Sequence, residues 1–282
     1  MILIADSGST KTHWILLSKN GKQQSFYSLG INPYFLDESA IKEIVSACFQ
    51  SVDVENISKV YFYGAGCSMP DKCSLVQNAL QSVFLKAQIE SNSDLLAAAH
   101  ALFGNSRGVC CILGTGSNAA VYDGKGFSIK IQSLGYLLGD EGSGSYVGRM
   151  LLQSYLRKEM PKNLQLAFEN QYNVDVSFVL ENLYKKKFPN RYLASFAPFA
   201  TTFAQEDFIQ NILRIAFKDF IKYQLDTLNF DKKLPVGFVG SVAFYFQNIL
   251  KEELEKHSYL LGTIEQEPIY SLVEYHKSKN KS

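Results

Sequence analysis

The feature of the sequence that most constrains its fold is a pattern that occurs twice. An apolar strand runs into a turn of glycine and hydroxyl residues and a second apolar strand follows, first in MILIADSGSTKTHWILL and again in GVCCILGTGSNAAVY. The turn glycines Gly8 and Gly116 are 108 residues apart (116 − 8 = 108), a spacing too long for a solenoid repeat. Each copy continues through an NG or DG turn into a third strand, which is typical of β-hairpins. The repeat predicts two similar domains, each opening with three antiparallel strands.

The rest of the chain predicts helices separated by short strands. Asp37 is the expected N-cap of a helix, and residues 144–230 are predicted to be mainly helical, with aromatic residues at helical spacing that indicate buried stripes rather than a ligand box. The other predicted elements are strands at 2–5, 13–17, 23–28 and 60–63, helices in DKCSLVQNALQSVFLKA and SNSDLLAAAHALFG, a strand, glycine turn and helix in LPVGFVGSVAFYFQNILKEELEK, and a last helix in EPIYSLVEYHKSK. Residues 6–12 are all assigned to the first polar turn.

Composition places the chain among globular proteins and excludes several functions. The 282 residues suffice for one large domain or two ordinary ones. A net charge of +1 gives no basic excess for nucleic acid, and no apolar run is long enough to span a bilayer. A strand that begins almost at Met1 leaves no room for a signal peptide, and five scattered cysteines form no disulfide framework. We expect a cytoplasmic protein with no nucleic-acid or membrane partner.

Both turns have the composition of an anion-binding loop, although many such turns bind nothing. Glycine permits close approach, and successive N–H groups with hydroxyls form a patch that suits phosphate oxygens. Asp6 would repel phosphate unless a divalent cation lay between them, so it is the predicted Mg²⁺ ligand. The sequence contains no Walker loop and no Gly-x-Gly-x-x-Gly opening a helix after a strand, which disfavours a Rossmann site. Two facing turns could hold the β- and γ-phosphates from both sides.

With these motifs the chain resembles the N-acetylglucosamine kinase and BadF/BadG/BcrA/BcrD-type ATPase family of the actin, heat-shock ATPase and sugar-kinase superfamily. DSGSTKT resembles its first phosphate motif, LGTGSN the second and VGFVGSVA the adenosine motif, and the similarity covers nearly the whole chain. The resemblance implies an α/β fold of two ribonuclease-H-like domains, with mixed sheets flanked by helices and an ATP cleft between them. The expected bounds are 1–106 plus 268–282 for the N-terminal lobe, and 107–267 for the C-terminal lobe with its helical insertion.

The resemblance also implies ATP and Mg²⁺ as cofactors and a small sugar as substrate. The residues it assigns to the nucleotide are Ser9, Thr10, Lys11, Gly114, Thr115, Gly116, Ser117, Gly240 and Ser241. The residues it assigns to the sugar are Asn32, Asp94, Gly135 and Asp140, with Ser133 as a further candidate. Glu141 is a candidate contact either to the sugar or to the metal. From the residues alone, Asn32-Pro33 equally predicts a turn, residues 140–142 a solvated loop, and Gly240 a tight strand-to-helix turn.

Asp94 is the candidate general base. It lies in the first turn of a predicted helix, where the helix dipole keeps a carboxylate ionised, and from the residues alone it is as readily a capping residue. The resemblance makes it the base that orients the acceptor hydroxyl and takes its proton, while other groups position the phosphates. The expected reaction is transfer of the γ-phosphate to the 6-hydroxyl of an amino sugar, with N-acetylglucosamine as the first candidate; glucosamine and N-acetylmuramic acid stay open.

Two alternatives use the same fold. A BadF-type ATPase would act as an activator or conformational switch and hold an iron–sulfur cluster with cysteines of two subunits. Cys110 and Cys111 lie in a predicted core strand, and Cys67 and Cys73 near a loop and a helix start, which disfavours this reading. A sugar-responsive repressor of the ROK class would need a helix-turn-helix before the first phosphate motif, and zinc-binding cysteines; neither is expected here.

The chain departs from the family pattern in two places. IQSLG stands before GYLLGDEGS where a Gly-Gly-Trp-like turn is expected, so the sugar pocket is expected to differ. Tyr270 and Leu272 stand in the last helix where small residues are usual. A homodimer is expected from the family alone.

Overall fold

The computed structural model describes residues 1–18 and 20–279. The chain divides into two compact units, unit 1 with Met1–Ser106 and Glu267–Ser282, and unit 2 with Arg107–Gln266. The last residues of the predicted N-terminal lobe, 280–282, lie outside the described residues. The lobe bounds expected from the sequence stay a prediction.

Within the described residues, unit 1 opens with three strands, after which helices and strands alternate. The middle of unit 2 is mainly helical. The strands are β1 (Ile2–Ser7), β2 (Lys11–Leu17), β3 (Gln23–Leu29), β4 (Lys59–Gly64), β5 (Gln88–Ser93), β6 (Gly108–Leu113), β7 (Ser117–Tyr122), β8 (Phe127–Lys130), β9 (Pro235–Val239) and β10 (Leu260–Glu265). The helices are α1 (Glu38–Cys48), α2 (Pro70–Gln81), α3 (Asp94–Phe103), α4 (Gly135–Leu138), α5 (Gly144–Leu156), α6 (Lys162–Tyr172), α7 (Val176–Tyr184), α8 (Pro189–Ala194), α9 (Ala197–Thr202), α10 (Asp207–Phe220), α11 (Asp226–Leu228), α12 (Ser241–Tyr245), α13 (Gln247–Lys256) and α14 (Ile269–Lys279), with a 3₁₀ turn at Val54–Asn56 and a π-helical turn at Ile221–Leu225.

Each unit contains one mixed sheet of five strands with the same connections. The strand orders are β3-β2-β1-β4-β5 and β8-β7-β6-β9-β10. In both sheets the first three strands are antiparallel neighbours, and the last two run parallel to the first. The predicted repeat of three-stranded openings is therefore confirmed.

The first polar turn is shorter than the sequence indicated. β1 continues to Ser7 and β2 begins at Lys11, so only residues 8–10 form the turn. Ser7 pairs with Thr12 in the ladder, both are fully buried, and their hydroxyl oxygens lie 2.7 Å apart. A strand can hold these polar side chains because each hydroxyl satisfies the other. The ends of β1 and β6 are 106 residues apart (113 − 7 = 106), whereas the two turn glycines are 108 residues apart.

Two strands were not predicted from the sequence. β5 has the sequence QIESNS, and β10 has the sequence LLGTIE. Each is the outermost strand on the parallel side of its sheet, and neither shows a clean apolar alternation. Residues 91–93, predicted as polar N-cap residues of the next helix, also complete β5, and Ser93 is the N-cap of α3.

Apolar cores cover the sheets on the faces that the helices occupy. In unit 1, Trp14, Phe62 and Phe84 belong to one cluster, and Leu272 of α14 belongs to a second. In unit 2, the predicted aromatic stripes are core in part: Phe178, Tyr184 and Tyr223 are exposed. The buried aromatic residues include Phe168, Phe196, Phe199, Phe217 and Phe220. Asp37 caps α1 as predicted, since its carboxylate accepts the N–H of Ala40 at 2.8 Å. Among the described helices, none combines the length and apolarity that a membrane crossing needs.

Candidate functional site

The candidate site residues of unit 1 lie at one edge of its sheet. Ser7, Gly64 and Ser93 are in register across the parallel strands β1, β4 and β5, which are spaced ~4.8 Å apart. Asp6 is the next-to-last residue of β1, and Asp94 is the first residue of α3, directly after β5. In open α/β sheets, ligands bind outside the carboxyl ends of such strands.

The turn at residues 8–10 is held by the backbone that follows β3. The N–H of Gly30 donates to the carbonyl of Thr10 at 3.0 Å, and the N–H of Ile31 donates to the hydroxyl of Ser7 at 3.0 Å. A Cβ atom at residue 30 would lie 2.5 Å from the carbonyl oxygen of Gly8, so only glycine fits there without a shift. The turn therefore keeps a defined backbone, with Ser9 half-buried beside it.

The Asp6 carboxyl lies in an unfavourable environment for a negative charge. Its pKa is raised from 3.8 to about 7, chiefly by burial and also by the negative charges of Asp94 and Glu267, while the charge of Lys11 lowers it. A cation beside Asp6 would offset these effects, and carboxylate oxygens are ligands that Mg²⁺ accepts. Within the described residues, no group of three or more His, Cys, Asp or Glu could hold a metal by itself. A magnesium ion there would take most of its ligands from phosphate and water.

Lys11, a predicted nucleotide ligand, is ion-paired with Glu267. The other carboxylate oxygen of Glu267 lies 3.2 Å from Nδ1 of His13. Burial alone would raise the pKa of Glu267, but hydrogen bonds from Lys11 and His13 bring that pKa below its usual value. The hydrogen bond to Glu267 raises the pKa of Lys11, which keeps the ammonium charged. Sequence reasoning missed Glu267 because 256 residues separate it from Lys11.

Asp94 is not the capping residue of its helix. Ser93 has that role, since its hydroxyl accepts the N–H of Leu96 at 3.3 Å, whereas Asp94 accepts the N–H of Leu95 at 2.8 Å through one oxygen. The half-buried Asp94 carboxylate lies close enough to Asp6 to raise its pKa. The capping alternative is thus assigned to Ser93, and the role of Asp94 as a base stays a prediction.

Asn32 forms the turn that its Asn-Pro sequence also predicted. Its side-chain oxygen accepts the N–H of Tyr34 at 3.0 Å, and the residue is buried. A Cβ atom at residue 66 would lie 2.6 Å from that same oxygen, so Asn32 contacts the segment after β4. Its role as a sugar ligand stays a prediction.

The turn at residues 114–116 of unit 2 is closed against the start of a helix. The N–H of Gly114 donates to the carbonyl of Gly116 at 3.0 Å. The carbonyls of Gly114 and Thr115 accept the N–H groups of Gly144 and Ser145, the first two residues of α5, at 2.8 and 3.0 Å. The N-terminus of α5 thus fixes the backbone of the turn through two hydrogen bonds to the turn carbonyls. These bonds also satisfy two N–H groups that have no partner within the helix.

Asp140, predicted to bind sugar, contacts this second turn. One of its carboxylate oxygens accepts the N–H of Ser117 at 3.1 Å, and a Cβ atom at residue 116 would lie 3.0 Å from the other. Asp140 has a φ of 56°, in the left-handed region that Asp tolerates better than most residues. The loop of residues 140–142 is therefore not merely solvated. A sugar contact by Asp140 stays a prediction.

Gln224 is a residue at this turn that sequence reasoning missed. Its side-chain amide donates to the hydroxyl of Ser117 at 2.6 Å and to the carboxylate of Glu141 at 3.2 Å. No motif marks Gln224, which lies in a helix 107 residues after Ser117. Only the π-helical turn around it, a feature frequent at functional sites, would have pointed to it.

Gly240 brings the predicted adenosine motif next to the second turn. Its φ is 124°, and a Cβ atom there would lie 2.3 Å from the carbonyl oxygen of Leu113. Its N–H donates to the carbonyl of Glu265 at 2.9 Å, and Ser241 begins α12. The tight turn proposed as an alternative for Gly240 is thus present, and contact with adenosine stays a prediction.

The remaining candidates lie in a loop that leads to α4. Gly135 begins α4 with a φ of 69°, and Ser133 is exposed. Leu134, Leu137 and Leu138 are exposed as well.

A depression of about 650 Å³ lies in unit 1 around Met1, at the end of the strands opposite to the candidate site residues. Its lining includes none of the predicted site residues.

Comparison with solved structures gives matches over the whole chain. The chain is 39% identical to a protein of Porphyromonas gingivalis provisionally assigned as an N-acetylglucosamine kinase, with 99% of this chain and 100% of that chain covered and a TM-score of 0.92. A protein of Chromobacterium violaceum with the same provisional assignment is 17% identical over 97% and 98% of the two chains, with a TM-score of 0.71. A ROK family glucokinase of Streptomyces griseus, solved with glucose and AMPPNP, is 12% identical over 100% and 99%, with a TM-score of 0.60.

The two distant structures show the fold alone, and they confirm the predicted α/β architecture of two mixed sheets flanked by helices. No protein-family model matches the chain, and no curated protein matches it significantly.

Proposed function

Because the chain belongs to the N-acetylglucosamine kinase and BadF-type ATPase family of actin-like ATPases, we propose that it is an ATP-dependent sugar kinase. The proposed reaction transfers the γ-phosphate of ATP to the 6-hydroxyl of an amino sugar, N-acetylglucosamine in the first place. The observation that carries the proposal is the placement of Asp6 and Asp94 at the carboxyl edge of parallel strands, beside a turn of glycine and hydroxyl residues.

Asp94 is proposed to orient the acceptor hydroxyl and to take its proton. Phosphoryl transfer leaves little covalent work for the protein, so one positioned carboxylate and a set of phosphate ligands suffice. The assignment is supported by the fact that Ser93, not Asp94, caps α3, so a capping role does not account for the Asp94 carboxylate. A general base of this kind contributes roughly 10²- to 10⁴-fold to the rate.

The two turns are proposed to bind nucleotide phosphates. In unit 1, Ser9, Thr10 and Lys11 would supply hydroxyls and a positive charge, and Asp6 would hold Mg²⁺, which neutralises phosphate charge when bound. In unit 2, the segment 114–117 would supply N–H groups and hydroxyls. Hydrogen bonds fix the backbone of both turns. This supports the role, because preformed donors need no reorganisation on binding.

Asn32, Gly135 and Asp140 are proposed as sugar ligands, with Ser133 and Glu141 as further candidates. An amide both donates and accepts hydrogen bonds, and a carboxylate accepts two, which suits vicinal hydroxyls. Gly240 and Ser241 are proposed to contact the adenosine. A homodimer remains an expectation from the family, and a cytoplasmic location remains an expectation from the cysteine pattern.

The activator function is not favoured. Burial raises the pKa of the Cys110 thiol to about 12 and that of Cys111 well above its usual value. Cys67 is buried, and burial raises its pKa as well. Cluster ligation needs thiolates, so these three cysteines are poor ligands for iron.

The proposal is tested with purified protein in a coupled assay of ADP release. The panel contains N-acetylglucosamine, glucosamine, N-acetylmannosamine, N-acetylmuramic acid and glucose, each with ATP and Mg²⁺, and ³¹P NMR identifies the phosphorylated hydroxyl. We expect N-acetylglucosamine to give the highest kcat/KM and a 6-phosphate product. If no sugar raises ADP release above the sugar-free rate, the kinase proposal is wrong.

A further inference from the structure

We propose that Gln224 is a positioning residue for the nucleotide, which fixes the hydroxyl of Ser117 as a hydrogen-bond donor to phosphate. The inference rests on the proposed function, because it assigns Ser117 to phosphate binding. It adds a residue that lies outside every motif of the sequence.

The contacts of Gln224 set the direction of each hydrogen bond. Its nitrogen Nε2 lies 2.6 Å from the Ser117 oxygen and 3.2 Å from a carboxylate oxygen of Glu141. A carboxylate can only accept hydrogen bonds, so Glu141 determines which end of the Gln224 amide is nitrogen. The same nitrogen then donates to Ser117, whose oxygen is the acceptor.

This direction matters for what Ser117 can do. A serine hydroxyl has one proton to donate, and an acceptor in place of Nε2 would compete for it. With Nε2 of Gln224 as its neighbour, the Ser117 proton is left for another acceptor. A phosphate oxygen is such an acceptor, and hydrogen bonds to charged groups are among the strong ones.

The backbone of Ser117 is fixed separately. Its N–H donates to Asp140 at 3.1 Å, so Gln224 and Asp140 hold different groups of the same residue. Orientation of the hydroxyl is therefore assigned to Gln224, and orientation of the main chain to Asp140.

Two observations favour a functional over a purely structural role for Gln224. Gln224 is 5% exposed, and its buried oxygen Oε1 has no hydrogen-bond partner among the described residues, which costs stability. It also lies in the π-helical turn Ile221–Leu225, where the N–H of Asp226 bonds to the carbonyl of Ile221. A buried amide oxygen without a partner calls for an explanation, and π-helical turns are frequent at functional sites. The two together favour a functional role.

The test measures the dissociation constants of ATP and of adenosine by calorimetry for Gln224→Met, Ser117→Ala and the double variant. Methionine keeps the volume and removes the donor. We expect Gln224→Met to weaken ATP binding by about 10-fold, the loss of roughly one charge-assisted hydrogen bond, and to leave adenosine binding unchanged. In the Ser117→Ala background, Gln224→Met should have no further effect, because it acts through the missing hydroxyl.

Gln210→Leu is the matched control, since Gln210 lies in the adjoining helix α10 and its side-chain amide donates to the Ala204 carbonyl at 3.3 Å. It should bind ATP like the wild type. Should Gln224→Met not fold, Gln224→Leu also removes the donor without adding a charge, with the same expected pattern.

Three results would overturn the inference while the proposed function stands: unchanged ATP affinity in the Gln224 variants, an equal loss of adenosine affinity, or a full 10-fold loss in the Ser117→Ala background. A wild-type protein that binds no ATP would instead overturn the proposed function, and the inference with it.

Discussion

The two turns of this protein are built on the same strand connections and are stabilised by different chemistry. The turn at residues 8–10 is held by neutral groups, through the paired hydroxyls of Ser7 and Thr12 and the backbone of Gly30. The turn at residues 114–116 is held by a carboxylate, that of Asp140, and by the N-terminus of α5.

The strands that flank the turns differ in charge in the opposite way: charged residues flank the first turn, and uncharged residues stand at the same positions beside the second. At the structural offset of 106 residues, Asp6 and Lys11 of unit 1 correspond to Ile112 and Ser117 of unit 2. The first turn therefore has charges on its own strands, and the second offers neutral donors. The repeated backbone places the proposed phosphate-binding groups at corresponding positions and leaves their charge free to differ.

The largest effect is expected from removing Asp94, the proposed base of unit 1. Asp94→Asn should lower kcat for N-acetylglucosamine by at least about a hundredfold, because the amide cannot take the proton, while circular dichroism and ATP affinity stay unchanged. Asp71→Asn, at the first turn of α2, is the matched control and should keep wild-type kcat. A near wild-type kcat in Asp94→Asn would exclude this role.

A smaller effect, on the free energy of unfolding, is expected at the two glycines whose backbone packs closely against a turn. Gly240→Ala should lower the free energy of unfolding by about 2 kcal/mol or more, because its Cβ would meet Leu113 and its φ of 124° strains an L-residue. Gly30→Ala should cost less, since only the contact with the first turn is involved. Urea unfolding measures both, with Gly126→Ala, which meets nothing within 4 Å, as the control. The reverse order would contradict this comparison.

The difference in charge predicts a difference in salt dependence. Lys11→Met should weaken ATP binding by about 10-fold at low ionic strength, and by clearly less at high salt, where charges are screened. Ser117→Ala should give a loss that salt hardly changes. Calorimetry at two KCl concentrations tests this, with the exposed Lys42 of α1 changed to Met as control. Parallel salt curves for the two variants would remove the distinction between the turns.

The smallest effects concern stability without ligand, and they should have opposite signs. Asp6 has a pKa of about 7 when folded and 3.8 ordinarily, so between these values the folded state binds more protons and stability falls as pH rises. Asp6→Asn should therefore raise the Tm by a few degrees at pH 8, for a gain of about 1 kcal/mol, and change it little at pH 4.

Asp140→Ala should instead lower the Tm at pH 8, because Ser117 loses a hydrogen bond from its N–H. Thermal unfolding of both variants at the two pH values is the measurement. A lower Tm for Asp6→Asn at pH 8 would mean that its charge is stabilised in the ligand-free protein.

The sequence by itself determined the repeat, the three-stranded openings, the cap at Asp37, the aromatic core of unit 2 and the family. These features are local or compositional: apolar periodicity records which face of an element is buried, and turn residues record where a chain reverses. The candidate site residues followed from the resemblance of these motifs to a known family.

Only the tertiary structure decided the rest. β5 and β10 are stabilised by ladder bonds to a single neighbour, which their polar or irregular sequences do not reveal. Ser7 joins β1 because Thr12 satisfies its hydroxyl. The contacts of Lys11 with Glu267 and of Ser117 with Gln224 join residues 256 and 107 positions apart. Such pairs depend on which loops and helix turns the packed sheets bring together, and no local pattern in a single sequence encodes that.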